Sequence, residues 1–361
     1  MIRNKKTLSS IAYRASNIQH PASRNRPFII PIFIPHAGCP HQCVFCNQRS
    51  ITGSKKKIMK PDQFRIQTRE FLKYKKADRT PVQIAFFGGN FLGLKEKEIK
   101  SWLELANDFI HRGEVDSIRF STRPDTIDSR RLDTIENYPV STVELGIQSM
   151  DDQILALAGR EHSASDSVRA VQRLKERHFS IGLQMMVGLP GDDESRSLMT
   201  AGRIVDLRPD FVRIYPTVVL KNSRLAEFYK KGDYTPLSLE EGVTLVKKIY
   251  LRFEKENINV IRMGLQASED LEDESTVLAG PYHPAFGHLV HSEIFWDKVL
   301  TKIELTGCDK GSLTIFVNPR SISKMRGINN SNIKKLRNKF QLDSVAVMPD
   351  LSLGEDDLRL V

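Results

Sequence analysis

SIGLQMMVGLPGD, residues 180–192, is an eight-residue apolar run that stops on a glycine, a proline and a second glycine. A run of that length with such punctuation fits a buried strand, because a helix needs ten or more residues and avoids that ending. The same unit recurs on both sides of it. FIIPIFI (28–34), VQIAFF (82–87), SIRFST (117–122), TVELGI (142–147) and FVRIYP (211–216) read as strands, and NINVIRM (257–263) extends the series. Between them lie segments with apolar residues at helical spacing, such as DQFRIQTREFLKYKK (62–76), EKEIKSWLELANDFIHR (96–112), SASDSVRAVQRLKERH (163–178) and LSLEEGVTLVKKIYLRFEKE (237–256). Strands alternating with helices imply a parallel sheet joined by crossovers. Six clear units and a seventh are too few for a closed eight-fold barrel, so the expected fold is α/β, a partial (β/α)6 barrel.

The residues that follow each strand are the unusual ones: HAGCPHQCVFC after the first, then GGN, RPD, QS, GLPGD and Thr217. In a βα barrel these positions converge on one mouth, where ligands bind and chemistry is done.

Composition narrows the class. The chain has 361 residues, 40% hydrophobic and 27% charged, a globular balance with room for one large domain and a small one. Its longest apolar run, Phe28 to Pro35, is far short of the ~20 residues of a membrane-spanning helix, so a soluble, cytoplasmic protein is expected. The net charge of +10 is an N-terminal property: residues 1–61 carry 11 Lys and Arg and no acid, which leaves the rest near neutrality. Residues 1–27 read as a solvated basic arm suited to phosphates, with a disordered leader or a transit peptide as alternatives.

Cys39, Cys43 and Cys46 make the spacing C-x3-C-x2-C. Disulfides would leave an odd thiol. Zinc remains open, with His36 or His41 as a fourth ligand, although structural zinc sites usually bring two ligand pairs and no second pair follows here. An iron–sulfur cluster with one iron left open accounts for both the crowding and the missing fourth thiolate, since Cys308 lies far along the chain.

CPHQCVFC resembles the cluster motif of the radical S-adenosylmethionine (SAM) superfamily, C-x3-C-x-aromatic-C. That resemblance implies a [4Fe-4S] cluster on Cys39, Cys43 and Cys46. Its open iron would chelate the amino and carboxylate groups of SAM, and an electron from the cluster would cleave SAM to a 5′-deoxyadenosyl radical. It further implies a low-potential electron donor such as ferredoxin or flavodoxin. FFGGN resembles the family's glycine motif, with Gly88, Gly89 and Asn90 near the methionine amino group, although an acidic or hydroxyl residue is more usual than Asn90. STRPD (121–125), ELGIQS (144–149) and QMMVGLPGD (184–192) resemble the barrel of the subgroup that contains the Elongator catalytic subunit and the oxygen-independent coproporphyrinogen oxidases. From these segments Phe45, Ser121, Arg123, Gln148 and Gly188 join the expected cofactor contacts, over a barrel of residues 28–300. Arg123 and Asp125 could instead simply pair with each other. The Elongator subunit has a longer spacer in its motif and a fused acetyltransferase. With about 60 residues after position 300, acyl transfer is not carried over.

Beyond the cofactor, Tyr215 on the sixth strand is a candidate hydrogen donor, and His283 in a turn is a candidate substrate contact. His288 and His291 could share a helix face, and packing is the plainer reading. Residues 301–361 read as a small α+β module in which two helices flank Gly-Ile-Asn-Asn, an order that resembles a KH RNA-binding domain. Residues 320–339 hold seven basic side chains and no acid, and Arg326, Gly327, Lys334, Lys335 and Arg337 are the candidate nucleic-acid contacts. In KH domains the turn ends in glycine, where this chain has Asn330. The expected function is a radical SAM enzyme modifying RNA, tRNA in particular. The alternatives are a radical SAM enzyme for a small or porphyrin-like molecule and a zinc-stabilised RNA-binding protein without catalysis.

Overall fold

The computed structural model describes residues 27–34, 38–47, 59–76, 80–266, 271, 275–306 and 311–361. The basic arm before Pro27, His36 and Cys308 lie outside them. Seven strands form one parallel sheet: β1 (Phe28–Phe33), β2 (Val82–Phe87), β3 (Ser117–Thr122), β4 (Val140–Gln148), β5 (Ser180–Val187), β6 (Phe211–Pro216) and β8 (Asn259–Met263). They pair in chain order, so the sheet is an open half-barrel, and the seventh strand read in NINVIRM is real.

Period-two alternation explains the two faces. Ile84, Phe86, Ile118, Phe120, Val143, Leu145, Leu183, Met185, Val212 and Ile214 point outward and are fully buried under the helices. The alternate positions carry the polar residues, Ser117, Arg119 and Ser121 on β3, Thr142 and Glu144 on β4, Gln184 on β5, Arg213 and Tyr215 on β6, beside the rings of Phe87 and Phe211. A parallel sheet buried on both faces is ordinarily apolar throughout. The polar inner face marks the hollow of the half-barrel as a working surface.

The covering helices are α1 (Pro61–Lys73), α2 (Glu96–His111), α3 (Ser129–Glu136), α4 (Asp152–Leu157), α5 (Ala164–Glu176), α6 (Glu194–Asp206) and α8 (Leu239–Lys255). Their starts are set by side-chain caps: the Asp151 carboxylate accepts from the amides of Gln153 and Ile154, and Ser163 and Ser238 form capping boxes with Asp166 and Glu241. A short β-pair not read in the sequence, β7 (Val219–Leu220) with β9 (Val277–Ala279), and α7 (Arg224–Lys231) lie beside the barrel mouth.

The long helix α9 (Phe286–Thr306) serves two cores. Phe286, Val290 and Ile294 pack in the barrel core, whereas Phe295, Val299 and Ile303 belong to a second core with Leu313, Ile315, Met325 and Leu336. Apolar residues therefore surround this helix, as expected of a segment covered on both sides. The second core is closed by β10 (Ser312–Val317), α10 (Ile322–Arg326), α11 (Ser331–Phe340), β11 (Ser344–Pro349) and β12 (Leu358–Leu360), with β10 central, parallel to β11 and antiparallel to β12. Among the described residues no helix is long and apolar enough to cross a membrane.

Candidate active site

The cysteine loop follows β1 and is held down at three points. Val44 donates its amide to the Ala158 carbonyl at 3.0 Å, the Val44 carbonyl accepts from Leu225 at 2.8 Å, and the Asn47 side chain donates to the Lys221 carbonyl at 2.6 Å. Its inner edge docks on the glycine turn after β2. Asn90, fully buried, donates Nδ2 to the Gly38 carbonyl at 3.0 Å, while its Oδ1 accepts from Thr122 Oγ1 at 2.6 Å and from the Arg123 amide and Thr126 Oγ1 at 3.1 Å. One amide thus ties the cysteine loop, the Gly-Gly-Asn turn and the end of β3 together.

The approach is close enough to require glycine. A Cβ on Gly38, whose φ is 71°, would lie 2.1 Å from the Asn90 carbonyl oxygen, and one on Gly93 would lie 2.0 Å from the Gly38 carbonyl oxygen. The turn is pinned from below by Phe91, whose ring stacks 4.9 Å from Phe86 and 4.7 Å from Phe120, all three fully buried.

Two buried arginines stand over the thiols. Arg160 directs Nη1 at the Cys43 sulfur, 3.4 Å away, donates Nη2 to the Gly146 carbonyl, and leaves Nε without a partner. Arg123 grips Asp125 through Nε and Nη2 at 2.9 Å each, yet its Nη1 has no partner. The pairing considered for Arg123 and Asp125 is therefore present, and it leaves one arm of the guanidinium free. Burial and then the neighbouring Cys43 push the Cys39 thiol up, against the pull of Arg123, Arg160 and the Asn90 backbone amide. His162, also buried, donates Nε2–H to the Ile147 carbonyl, 3.2 Å away, and burial with the two arginines pushes its pKa down to about 3. Sequence reasoning missed Arg160 and His162; the signal was REH directly after the α4 segment, on the loop that faces the cysteines.

The other expected contacts gather on the same rim. Ser121 Oγ accepts from Gln184 Nε2 at 3.2 Å. Gln148, at φ 64°, turns its side chain back over Gly146. Gly188 is engaged on both sides: its amide donates to Asp192 Oδ2 at 2.9 Å and its carbonyl accepts from the Tyr234 hydroxyl at 2.6 Å. Phe45 is half-buried between the Val219 and Leu225 cluster and the Ile154 and Leu189 cluster. Tyr215 is half-buried on the inner wall. The His283 Nδ1 accepts from the Ala285 amide at 3.0 Å and so caps the entry to α9. His291 packs edge-on against Tyr250, 5.1 Å between ring centres, as the packing reading had it.

Residues 33–202 match the model of the Radical SAM superfamily, and residues 209–295 match the Radical_SAM C-terminal domain. An uncharacterized protein of Methanocaldococcus jannaschii is 30% identical over 62% of this chain and 71% of its own length. The chain belongs to the radical SAM superfamily. A tRNA uridine(34) acetyltransferase of Methanocaldococcus infernus is 25% identical over 67% of this chain and 54% of its own length, and human Elongator complex protein 3 is 25% identical over 60% and 47%. The chain thus spans about half the length of those relatives. The solved Elp3 of Methanocaldococcus infernus, with an N-terminal deletion, superposes with a TM-score of 0.56 at 19% identity, covering 80% of this chain and 66% of that one, which shows the shared fold.

Radical SAM enzymes use a [4Fe-4S] cluster and SAM, and the residues present fit both. His41, weighed as a zinc ligand, is instead paired with Glu161 at 2.6 Å on the surface. The unpartnered Arg123 Nη1 and Arg160 Nε suit an anionic cluster and the carboxylate of SAM.

Proposed function

We propose that this radical SAM enzyme modifies RNA, tRNA in particular, with the half-barrel doing the chemistry and the C-terminal module holding the strand. One observation carries the RNA reading. In the turn between α10 and α11, Gly327, Asn329 and Asn330 all have positive φ, at 71°, 53° and 60°. Asparagine tolerates that conformation best after glycine, so Asn330 takes the backbone form that a glycine would take in the turn of a KH domain. Asn332 braces the turn from behind by donating Nδ2 to the Ser292 carbonyl at 2.9 Å. Arg326, Lys334 and Arg337 form no ion pair among the described residues, so their charges are available to phosphates; Lys335 is partly engaged, with Glu293 at 2.8 Å and over the Trp296 ring. The relatives named as tRNA uridine(34) acetyltransferases support the same reading. The proposal includes no acetyl transfer.

In this reading Cys39, Cys43 and Cys46 hold the cluster, Arg123 and Arg160 receive the SAM carboxylate, and backbone groups of the Gly88–Asn90 turn meet its amino group. A reduced cluster held there would supply the electron for the reductive cleavage of SAM. Phe45 and the Gly188 turn keep water from the rim, and Tyr215 stands on the wall within the hollow. A target nucleotide must leave its stack to enter.

The test is anaerobic reconstitution with iron and sulfide, reduction, and incubation with SAM and bulk tRNA lacking the modification. We expect 5′-deoxyadenosine together with a mass change in one digested nucleoside, both absent in Cys43→Ala. SAM cleavage with a small molecule as the only modified product would refute the RNA reading.

A further inference from the structure

We infer that the inner wall of the half-barrel is a receptor for an anionic group carried by the substrate, with Arg262 as its unengaged arm and Arg213 and Tyr215 beside it. This rests on the proposal that substrate enters the hollow. The centre of the wall is Glu144, fully buried, and both of its oxygens are already taken. Oε1 accepts from Arg213 Nη2 at 3.1 Å and faces Arg119 Nε at 3.5 Å; Oε2 accepts from Gln184 Nε2 at 2.9 Å and pairs with Arg213 Nε at 2.7 Å.

One carboxylate therefore faces two guanidiniums, and with Arg262 beside them the wall carries two positive charges in excess. Arg262 is the group left over. It sits opposite Arg213 in the β6–β8 register, half-buried, and makes no hydrogen bond or ion pair among the described residues. Adjacent strands lie about 4.8 Å apart, so Arg213 and Arg262 can reach one ligand together. Tyr215, two residues along β6, shares their face and interacts electrostatically with both.

Half-buried like charges in excess of their counterion among the described residues are costly, and a guanidinium desolvated in this way is satisfied best by an oxyanion that takes two parallel N–H bonds. Arg119 and Arg213 are also braced against aromatic rings, Arg119 over Phe211 at 5.1 Å and Arg213 over Phe87 at 5.5 Å, so the charges are fixed before any ligand arrives. The chemistry is that of a carboxylate or a phosphate. In an RNA substrate these are a side-chain carboxylate on the target nucleotide or a phosphate of the strand.

The experiment titrates cluster-loaded protein with inorganic phosphate and, separately, with acetate at constant ionic strength, following the melting temperature and the heat of binding. Wild type is compared with Arg262→Gln, Arg262→Lys and the remote surface variant Arg130→Gln. We expect a saturable response in wild type and Arg130→Gln, at least about tenfold weaker binding in Arg262→Gln, and partial retention in Arg262→Lys. Without anion, Arg262→Gln should melt no lower than wild type, because it loses no partner. A response to phosphate alone assigns the site to the strand, and a response to acetate assigns it to a carboxylate. No saturable response to either anion, equal binding by Arg262→Gln, or a lower melting point of that variant without anion overturns the inference. Anion binding of the expected kind in a protein that modifies no tRNA would remove the RNA reading alone.

Discussion

Asn90 is the residue through which the cluster loop is built, and its replacement perturbs both stability and cofactor loading. Asn90→Ala removes four hydrogen bonds from a fully buried group. The hydroxyls of Thr122 and Thr126 keep each other at 2.9 Å, so only the Arg123 amide and the Gly38 carbonyl are stranded. At about 1–3 kcal/mol for each stranded group, the expected loss is roughly 3–4 kcal/mol. Asn90→Asp preserves the accepting oxygen, and with it the bonds from Thr122, Thr126 and Arg123. It replaces the donor facing Gly38 by a second acceptor. Because it also buries a charge against a carbonyl oxygen, it should cost at least as much stability, while undocking the cysteine loop just as completely. Denaturant unfolding of the apoprotein gives the first quantity, and iron per chain after anaerobic reconstitution gives the second. The reasoning fails if Asn90→Asp loads iron like wild type while Asn90→Ala does not, because accepting bonds rather than the Gly38 contact would then carry the role.

Three further outcomes are expected. Gly38→Ala, which places a methyl 2.1 Å from the Asn90 carbonyl oxygen at φ 71°, should abolish iron loading, measured by chemical iron assay. His162 is held neutral when folded, with a pKa of about 3, below its unfolded value of about 6.5. Its contribution is present above pH 6.5 and is lost as pH falls, because the unfolded chain takes the proton that the folded ring refuses, at up to about 1.4 kcal/mol per pH unit. His162→Asn should flatten the stability curve between pH 6.5 and 5, as read by urea titrations at each pH. Lys334→Ala and Arg337→Ala should each weaken tRNA binding and reduce the slope of log affinity against log salt by about 1, as followed by filter binding from low to moderate salt. An unchanged slope would place those residues off the RNA path.

The strands were legible because parallel strands buried on their outer face read as short apolar runs, and six expected segments coincide with observed strands to within two residues at either end. The cysteine spacing and the Gly-Gly-Asn turn were legible for a different reason: they are local, and each needs a particular residue type at a particular backbone position. What was not legible depends on partners distant in sequence. Glu144 gave no local sign that its companions would be Arg119, Gln184 and Arg213, from three other strands. Arg160 lies 117 residues from Cys43, and REH marks a polar loop there without saying which strand's loop it would meet. The β7–β9 pair was invisible because strands of two and three residues carry no periodicity.

Helix α9 gives its first half to the barrel core and its second half to the core of the C-terminal module. A tethered reader on a loose linker would let the gripped strand wander relative to the reactive hollow. A shared rod about 30 Å long does not. The molecule is built like a pair of calipers: if the Gly327–Asn330 turn clasps a strand as proposed, that strand is held at a set offset from the mouth, and site choice on a polymer would be made by distance as well as by the letters it carries.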